Sequence, residues 1–206
     1  MAQSMIGSSQ GGAQAAANHS DPVRVVLVGH SYVRRLNEYM TRRRQTNLGF
    51  DDVEVRSVFR GGARLHPPDS DRRRRMIETV DGYHPDFIFV HMGENDLRRR
   101  SRYVILTDLL SFVDELAPLC SSHVVIVGQL MHFPANWQLA NDVDFINVRL
   151  AQDLPPGHIL WCHRSGLSRN PNMYEPRGVH LNDAGNQRYW RSIRTIVSRV
   201  LRHSQP

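Results

Sequence analysis

The sequence predicts an α/β protein, a three-layer α/β/α sandwich around a five-stranded parallel sheet. Three observations predict this class. Five short segments are rich in β-branched and aromatic residues, and most of them are apolar throughout, which is typical of strands buried on both faces of a parallel sheet. Stretches with helical periodicity lie between the segments, and such alternation favours right-handed crossovers with helices on both faces of the sheet.

The elements follow in chain order. The predicted strands are Val23–Val28, Val53–Phe59, Phe87–Met92, Val124–Leu130 and His158–Cys162. After the first strand, helical spacing puts three apolar positions on one face, namely Val33, Leu36 and Tyr39 or Met40. Helices are also predicted in YVILTDLLSFVDELAPLC, DFINVRLAQDL and LNDAGNQRYWRSIRTIVSRVL. The last begins at an N-cap, Asn182 or Asp183, and turns five side chains inward, those of Trp190, Ile193, Ile196, Val197 and Val200.

The 206 residues suit one domain, which we expect to span 22–203. Residues 1–21 lack both a basic start and a solid apolar stretch, so they predict a disordered tail or cloning remnant and not a secretory signal. The longest apolar run has only strand length, so no transmembrane helix is expected. Two cysteines without a CxxC pair favour a reducing compartment, and we expect an intracellular, cytoplasmic protein. Cys162 is expected to pack in the core.

The chain is basic, with a formal net charge of +6, and its 26 basic residues are all arginine. They cluster at 42–44, 72–75 and 98–102. Guanidinium groups suit phosphate and carboxylate, so a nucleic acid or another anionic surface is one candidate partner. A solvated surface encoded by a GC-rich gene explains the same composition equally well. The histidines and acidic residues show no metal-ligand spacing, so we expect no metal and no cofactor.

Residues with chemistry for acyl transfer follow four of the strands. Ser31 follows the first strand, Gly61 and Gly62 the second, Asn95 the third, and His180 lies between the fifth strand and the last helix. In open α/β sheets the ligand crevice lies at these strand ends. A serine becomes nucleophilic when an imidazole takes its proton, and backbone N–H groups with a side-chain amide can hold the resulting oxyanion. Each residue alone is also typical of a helix cap or turn, but together they indicate ester hydrolysis.

The motifs VGHS, RGGAR, GEND and RGVHLNDAGNQRYW resemble the sequence blocks of the SGNH hydrolases, also called GDSL-type esterases, over 23–201. The resemblance implies a flavodoxin-like sheet of order 2-1-3-4-5. It also implies cleavage of small ester or lipid-like substrates by a Ser31–His180 acyl-enzyme mechanism, with an oxyanion hole from Ser31, Gly62 (or Gly61) and Asn95. The arginine-only composition resembles SGNH domains carried by some retrotransposons. One departure is His30, where the family usually has Asp.

A second departure affects catalysis directly. The family's Asp three residues before the histidine is Arg177 here, and a cation cannot accept the ring N–H of His180. Three outcomes stay open. A Ser31–His180 dyad acts alone, Glu175 or Asp183 substitutes as the acid, or the site is inactive.

Arginines near the strand ends predict an electropositive rim that attracts anionic esters, formed by Arg60, Arg64, Arg98 and Arg177. The alternative function is a non-catalytic SGNH-fold module that binds RNA or other polyanions through the arginine clusters. Four apolar side chains in the loops are expected to serve either as acyl contacts or as loop anchors, namely Phe133, Trp137, Met173 and Tyr174.

Overall fold

A five-stranded parallel sheet forms the centre of the structure, a computed structural model that describes residues 21–65, 70–134, 136–163 and 167–203. Its strands are β1 (Val23–Gly29), β2 (Val53–Phe59), β3 (Phe87–His91), β4 (Val125–Gly128) and β5 (Ile159–Trp161). They pair in the order β2-β1-β3-β4-β5. This confirms the expected strand order, and the predicted strands differ from the observed ones by no more than two residues at either end.

Helices cover both faces of the sheet. They are α1 (Ser31–Arg42), α2 (Ser70–Asp81), α3 (Arg102–Leu116), α4 (Ala140–Asp153) and α5 (Asp183–His203). One apolar core joins the sheet to α2, α3 and α4, and the other joins it to α1 and α5. The three-layer sandwich is therefore confirmed. Short 3₁₀ turns occupy Ala117–Leu119, Trp137–Leu139 and Pro171–Met173.

Helix α2 was not predicted from the sequence, because its arginines leave only a sparse apolar face. Met76 and Val80, one turn apart, are its buried positions. Arg73 lies over the ring of Phe112 at 5.1 Å and pairs with Glu115, both on α3. Part of the 72–75 arginine cluster is thus used for packing between helices.

The structure also decides two further predictions, one about the N-cap of α5 and one about the burial of Cys162. Asn182, and not Asp183, caps α5, since its Oδ1 accepts from the backbone N–H of Gly185 at 2.9 Å. Cys162 is exposed, so the prediction that it packs in the core is wrong. It follows the last residue of β5, an edge strand with a single neighbour, where the alternation of side chains points it away from buried Trp161.

The inward faces of the helices largely agree with the sequence pattern. All four apolar positions of α1 are buried, and so are the predicted positions of α5 except the half-buried Trp190. None of the described helices is long and apolar enough to span a membrane. The tail predicted for 1–21 lies almost wholly outside the described residues.

Candidate active site

Three strand ends lie side by side at one edge of the sheet. Gly29, the last residue of β1, pairs with Phe59 of β2 and with His91 of β3. The backbone N–H of Arg60 donates to the carbonyl of Gly29 at 3.2 Å. The residues that follow these strands, Ser31, Gly61 and Gly62, and Asn95, are therefore brought to the same edge.

Helix α1 begins at Ser31, immediately after the turn that leaves β1. A Cβ at Gly29 would lie 2.4 Å from Val33 Cγ2 and 2.7 Å from the His91 carbonyl oxygen, so only glycine lets the helix turn here. His30 is the N-cap, and its Nδ1 accepts from the Tyr32 N–H at 3.4 Å. Ser31 is partly exposed, and its N–H belongs to a first turn whose amides have no partner within the helix. This end of α1 favours negative charge.

The loop after β2 is attached to the loop after β3. Asn95 donates from Nδ2 to the carbonyl of Ala63 at 2.9 Å, and the Leu65 N–H donates to Asp96 Oδ2 at 3.0 Å. Gly62 is exposed with φ +72°, a left-handed conformation that glycine adopts without strain. The Asn95 amide carries a second N–H, so one hydrogen can position the group while the other serves a ligand.

The chain segment that carries His180 is held near the same edge of the sheet by a hydrogen bond from α1. The Tyr32 hydroxyl donates to the carbonyl of Val179 at 3.0 Å, which fixes the residue before His180 against the first turn of α1. Burial lowers the pKa of His180 below its ordinary 6.5, and the charge of Arg35 lowers it further, while Glu175 acts in the opposite direction. The imidazole is therefore neutral, the form needed in a base, at neutral pH.

The imidazole of His180 lacks the acid found in the resembling family. Its Nδ1 is buried and has no hydrogen-bond partner, and Arg177 is exposed. Glu175 accepts a hydrogen bond from Arg35, and the exposed Asp183 pairs with Arg42 at 2.7 Å. Both candidate substitute acids are therefore held by arginines in this structure.

The predicted rim and loop residues differ in exposure. Arg60, Arg98 and Arg177 are exposed, and Arg64 is half-buried. Tyr174 is a loop anchor, since its hydroxyl lies 2.9 Å from the carbonyl oxygens of both His132 and Ser168. The other three apolar loop residues range from buried Met173 through half-buried Phe133 to Trp137, which is 78% exposed.

Sequence reasoning missed a buried polar cluster beneath the candidate site. Glu94 receives His30 Nε2 at 2.7 Å on Oε2 and His91 Nε2 at 2.6 Å on Oε1. The backbone N–H of Met131 donates to the same Oε1 at 3.0 Å. All three side chains are at most 1% exposed. Burial alone would raise the pKa of Glu94, but the two imidazoles and their hydrogen bonds hold it well below its usual range.

Aromatic rings enclose the cluster. The Tyr189 hydroxyl of α5 lies 2.6 Å from His91 Nδ1, and the rings of Tyr32 and His163 stack on His91 at 5.4 and 5.5 Å. Burial and the charge of His91 lower the pKa of His163 well below its usual range. A histidine closing the apolar run FIFVH, followed three residues later by a glutamate, was the available sequence signal.

A serine–histidine–aspartate array, separate from Ser31 and His180, joins the loops after β4 and β5. His132 Nδ1 lies 2.8 Å from Ser168 Oγ, and its Nε2 lies 3.0 Å from Asp144 Oδ1. The His132 backbone N–H also donates to Ser168 Oγ at 2.8 Å. Arg169 contacts both Asp144 oxygens, at 2.6 and 2.8 Å. The array borders a cavity of about 430 Å³.

Solved structures with a similar fold include esterases and a lipolytic protein. A carbohydrate esterase family 3 protein from Talaromyces cellulolyticus matches with a TM-score of 0.64 and 15% identity, covering 89% of this chain and all of the other. TesA matches with a TM-score of 0.64 and 16% identity, covering 82% of this chain and 95% of the other. A lipolytic G-D-S-L family protein from Veillonella parvula matches with a TM-score of 0.63 and 12% identity, covering 86% and 99%.

No protein-family model matches the sequence, and no curated protein matches it either. The structural similarity extends over most of the chain at low identity, so the chain has the SGNH hydrolase fold.

Proposed function

We propose that the protein is a carboxylic ester hydrolase that works through an acyl-enzyme on Ser31. The single observation that carries the proposal is the hydrogen bond from Tyr32 to the Val179 carbonyl. It joins the residue after Ser31 to the residue before His180, and we propose that the Ser31 hydroxyl and the His180 imidazole act together at the start of α1. The esterase and lipase folds among the structural neighbours support the same reaction class.

The proposed reaction has two halves. His180 takes the proton of Ser31 Oγ, which attacks the ester carbonyl, and the protonated imidazole then gives that proton to the departing alcohol. Water, deprotonated by His180, hydrolyses the acyl-enzyme and releases Ser31. Donors for the tetrahedral oxyanion are the N–H groups of Ser31 and Gly62 (or Gly61) and the free amide hydrogen of Asn95.

The missing acid determines how fast this reaction runs. With Nδ1 of His180 unpartnered and Glu175 and Asp183 paired with arginines, we propose a Ser31–His180 dyad in the resting protein. Loss of only the orienting acid from a triad costs roughly 10⁴ in turnover, and the remaining groups still accelerate hydrolysis. A slow esterase is the expected result.

The proposed substrates are small or lipid-like esters that carry a negative charge. Arg60, Arg98 and Arg177 are exposed, and their positive field would attract a carboxylate or phosphate on the substrate. Turnover of anionic esters should therefore exceed that of neutral esters of equal acyl length, and added salt should reduce the difference. Equal turnover of anionic and neutral esters at every salt concentration would contradict the proposed role of these arginines.

The direct test is hydrolysis of p-nitrophenyl acetate and butyrate by the wild type and by three variants, Ser31→Ala, His180→Ala and Asn95→Ala. The first two should remove the enzymatic rate, and the third should lower kcat by about 10²–10³ through loss of one oxyanion donor. Ser111→Ala, an exposed serine on α3, is the matched control. Equal background rates in wild type, Ser31→Ala and His180→Ala would contradict the proposal.

The second candidate function is a polyanion-binding module, favoured by three adjacent exposed arginines, Arg98, Arg99 and Arg100. Contacts to phosphates predict RNA binding with steep salt dependence and little sequence preference. Replacing these arginines by glutamine should then abolish binding. If the chain hydrolyses esters through Ser31 and RNA binding is absent at low salt, this function is excluded.

A further inference from the structure

The carboxylate of Glu94 connects three elements at the candidate catalytic edge. Oε2 contacts His30, in the turn between β1 and α1, and Oε1 contacts both His91, at the end of β3, and the backbone of Met131, after β4. A single side chain is therefore hydrogen-bonded to the ends of three neighbouring strands, while His91 extends the network to Tyr189 on α5.

The contacts of Glu94 lie directly behind the proposed reacting groups. His30 precedes Ser31, and Glu94 precedes Asn95. The 2.7 Å contact between His30 and Glu94 therefore joins the residue before the proposed nucleophile to the residue before the proposed oxyanion amide. Neither side chain is more than 1% exposed, so neither can contact a substrate directly. Any effect on the reaction would have to act at a distance, through the positions of neighbouring groups or through charge.

The hydrogen bonds also define the charge of the cluster. Because His30 Nδ1 accepts from the Tyr32 N–H, its Nε2 carries the proton and donates to Glu94. Glu94 Oε1 receives the Met131 N–H and His91 Nε2. A carboxylate accepts from all three groups, whereas an amide or a protonated carboxyl would present a hydrogen to one of them.

We propose that Glu94 is a positioning residue, whose buried carboxylate holds Ser31, through His30, at a fixed place relative to the Asn95 amide. The inference rests on the proposed function, since Ser31 and Asn95 have to act on the ester for their relative placement to affect turnover. A displacement of about 1 Å at a reacting group can cost on the order of 100-fold in rate. Glu94 prevents such a displacement by fixing both loops to one rigid anion.

The test compares Glu94→Gln with a control, Glu115→Gln. The first variant keeps the shape of the side chain and removes its charge. The second makes the same change in a surface ion pair between Glu115 on α3 and Arg73 on α2. Glu94→Gln should lower kcat on the order of 100-fold and leave KM within about twofold, while Glu115→Gln should change neither. Rates are expressed per folded molecule, counted from the two-state melting curve. A purely structural role would lower the melting temperature and leave this normalised kcat at the wild-type value, which would overturn the proposal.

Amide hydrogen exchange tests the same geometry without any activity. In the segments 30–32 and 94–96, the Tyr32 amide donates to His30 Nδ1 and the Asp96 amide donates to the Gly93 carbonyl. Both amides should exchange faster in Glu94→Gln and at the wild-type rate in Glu115→Gln. If the wild type shows no turnover that depends on Ser31, the proposed function fails. Amide hydrogen exchange then still shows whether Glu94 holds the two loops in place. Unchanged exchange in both segments would overturn the positioning role.

A second pair of variants covers the case in which Glu94→Gln does not fold. His30→Gln can still donate an N–H to Glu94, whereas His30→Leu cannot. If Glu94 acts through this donor, His30→Gln should retain at least tenfold more kcat than His30→Leu, at equal KM. Equal rates for the two variants would contradict the proposal.

Discussion

The two serine–histidine regions of the molecule differ in how the imidazole is held. In the Ser31 region, His180, the proposed base, has an unpartnered Nδ1. At Ser168, His132 has both ring nitrogens in hydrogen bonds, one to the serine and one to Asp144. By hydrogen bonding alone, the second region has the more complete triad.

The surroundings of the two serines lead to the opposite ranking and favour Ser31. Ser31 begins a helix at the junction of three strand ends, next to an exposed glycine turn and an amide with a free hydrogen. Ser168 is 6% exposed, and its oxygen already accepts the backbone N–H of His132. Ser168 therefore fixes one loop to another, whereas Ser31 is the nucleophile of the proposed reaction. Preorganised donors and a helix N-terminus indicate a nucleophile better than a serine–histidine–acid chain does.

Among the changes that test this comparison, the largest effect is expected from giving His180 the acid that the Ser168 region has. Arg177→Asp puts a carboxylate three residues before His180, where it can accept the Nδ1 proton and stabilise the imidazolium. We expect kcat to rise by roughly 10–100-fold in p-nitrophenyl acetate hydrolysis, a part of the ~10⁴ that such an acid supplies in a complete triad. Arg191→Asp, the same charge change at an exposed position of α5, should leave kcat unchanged. A fall in kcat specific to Arg177→Asp would show that Arg177 itself assists the reaction.

The pH dependence of the reaction should reveal two of the charges that act on His180, those of Arg35 and Glu175. Because its pKa is lowered by burial and by Arg35, kcat/KM should rise with pH through an inflection below 6.5. Arg35→Gln removes a cation and frees Glu175, so the inflection should move to higher pH, by roughly one pH unit. Glu175→Gln should move it to lower pH. Shifts in the same direction in both variants would be inconsistent with His180 as the base.

The smallest effect on activity is expected at Ser168. Ser168→Ala leaves the N–H and Nδ1 of His132 without their partner, which should lower the free energy of unfolding by about 1–3 kcal/mol in urea titration. kcat should stay within about twofold of the wild type, because the array lies outside the proposed reaction. Loss of turnover at full stability would make Ser168 a nucleophile and reverse the comparison.

The regular part of the fold was predictable, and the reasons are local. Continuous apolar runs such as VVLV in β1 specify buried parallel strands, and α1 has a clear apolar face. Helix α2 was missed because burial of Met76 and Val80 alone does not give a recognisable period. Cys162 was misplaced because its exposure depends on the ending of a three-residue edge strand.

For the candidate site, the sequence allowed us to predict which residues follow the strand ends, but not the contacts between their side chains. Ser31, Gly62 and Asn95 follow apolar runs, so topology brings them together. The Glu94 cluster was not predictable, because His30, His91 and Glu94 meet through register, at Gly29 opposite His91, and no short motif contains all three. The arginine partners of Glu175 and Asp183 likewise depend on the packing of α1 beside the loop before α5.

The most direct measurement is covalent labelling with a fluorophosphonate, followed by mass spectrometry of the digested protein. A single adduct on Ser31 is expected, much slower to form in His180→Ala and unaffected in Ser168→Ala, because the proposed mechanism gives Ser31 both a base and oxyanion donors. An adduct on Ser168 with Ser31 unmodified, or no adduct on either serine, would contradict the account.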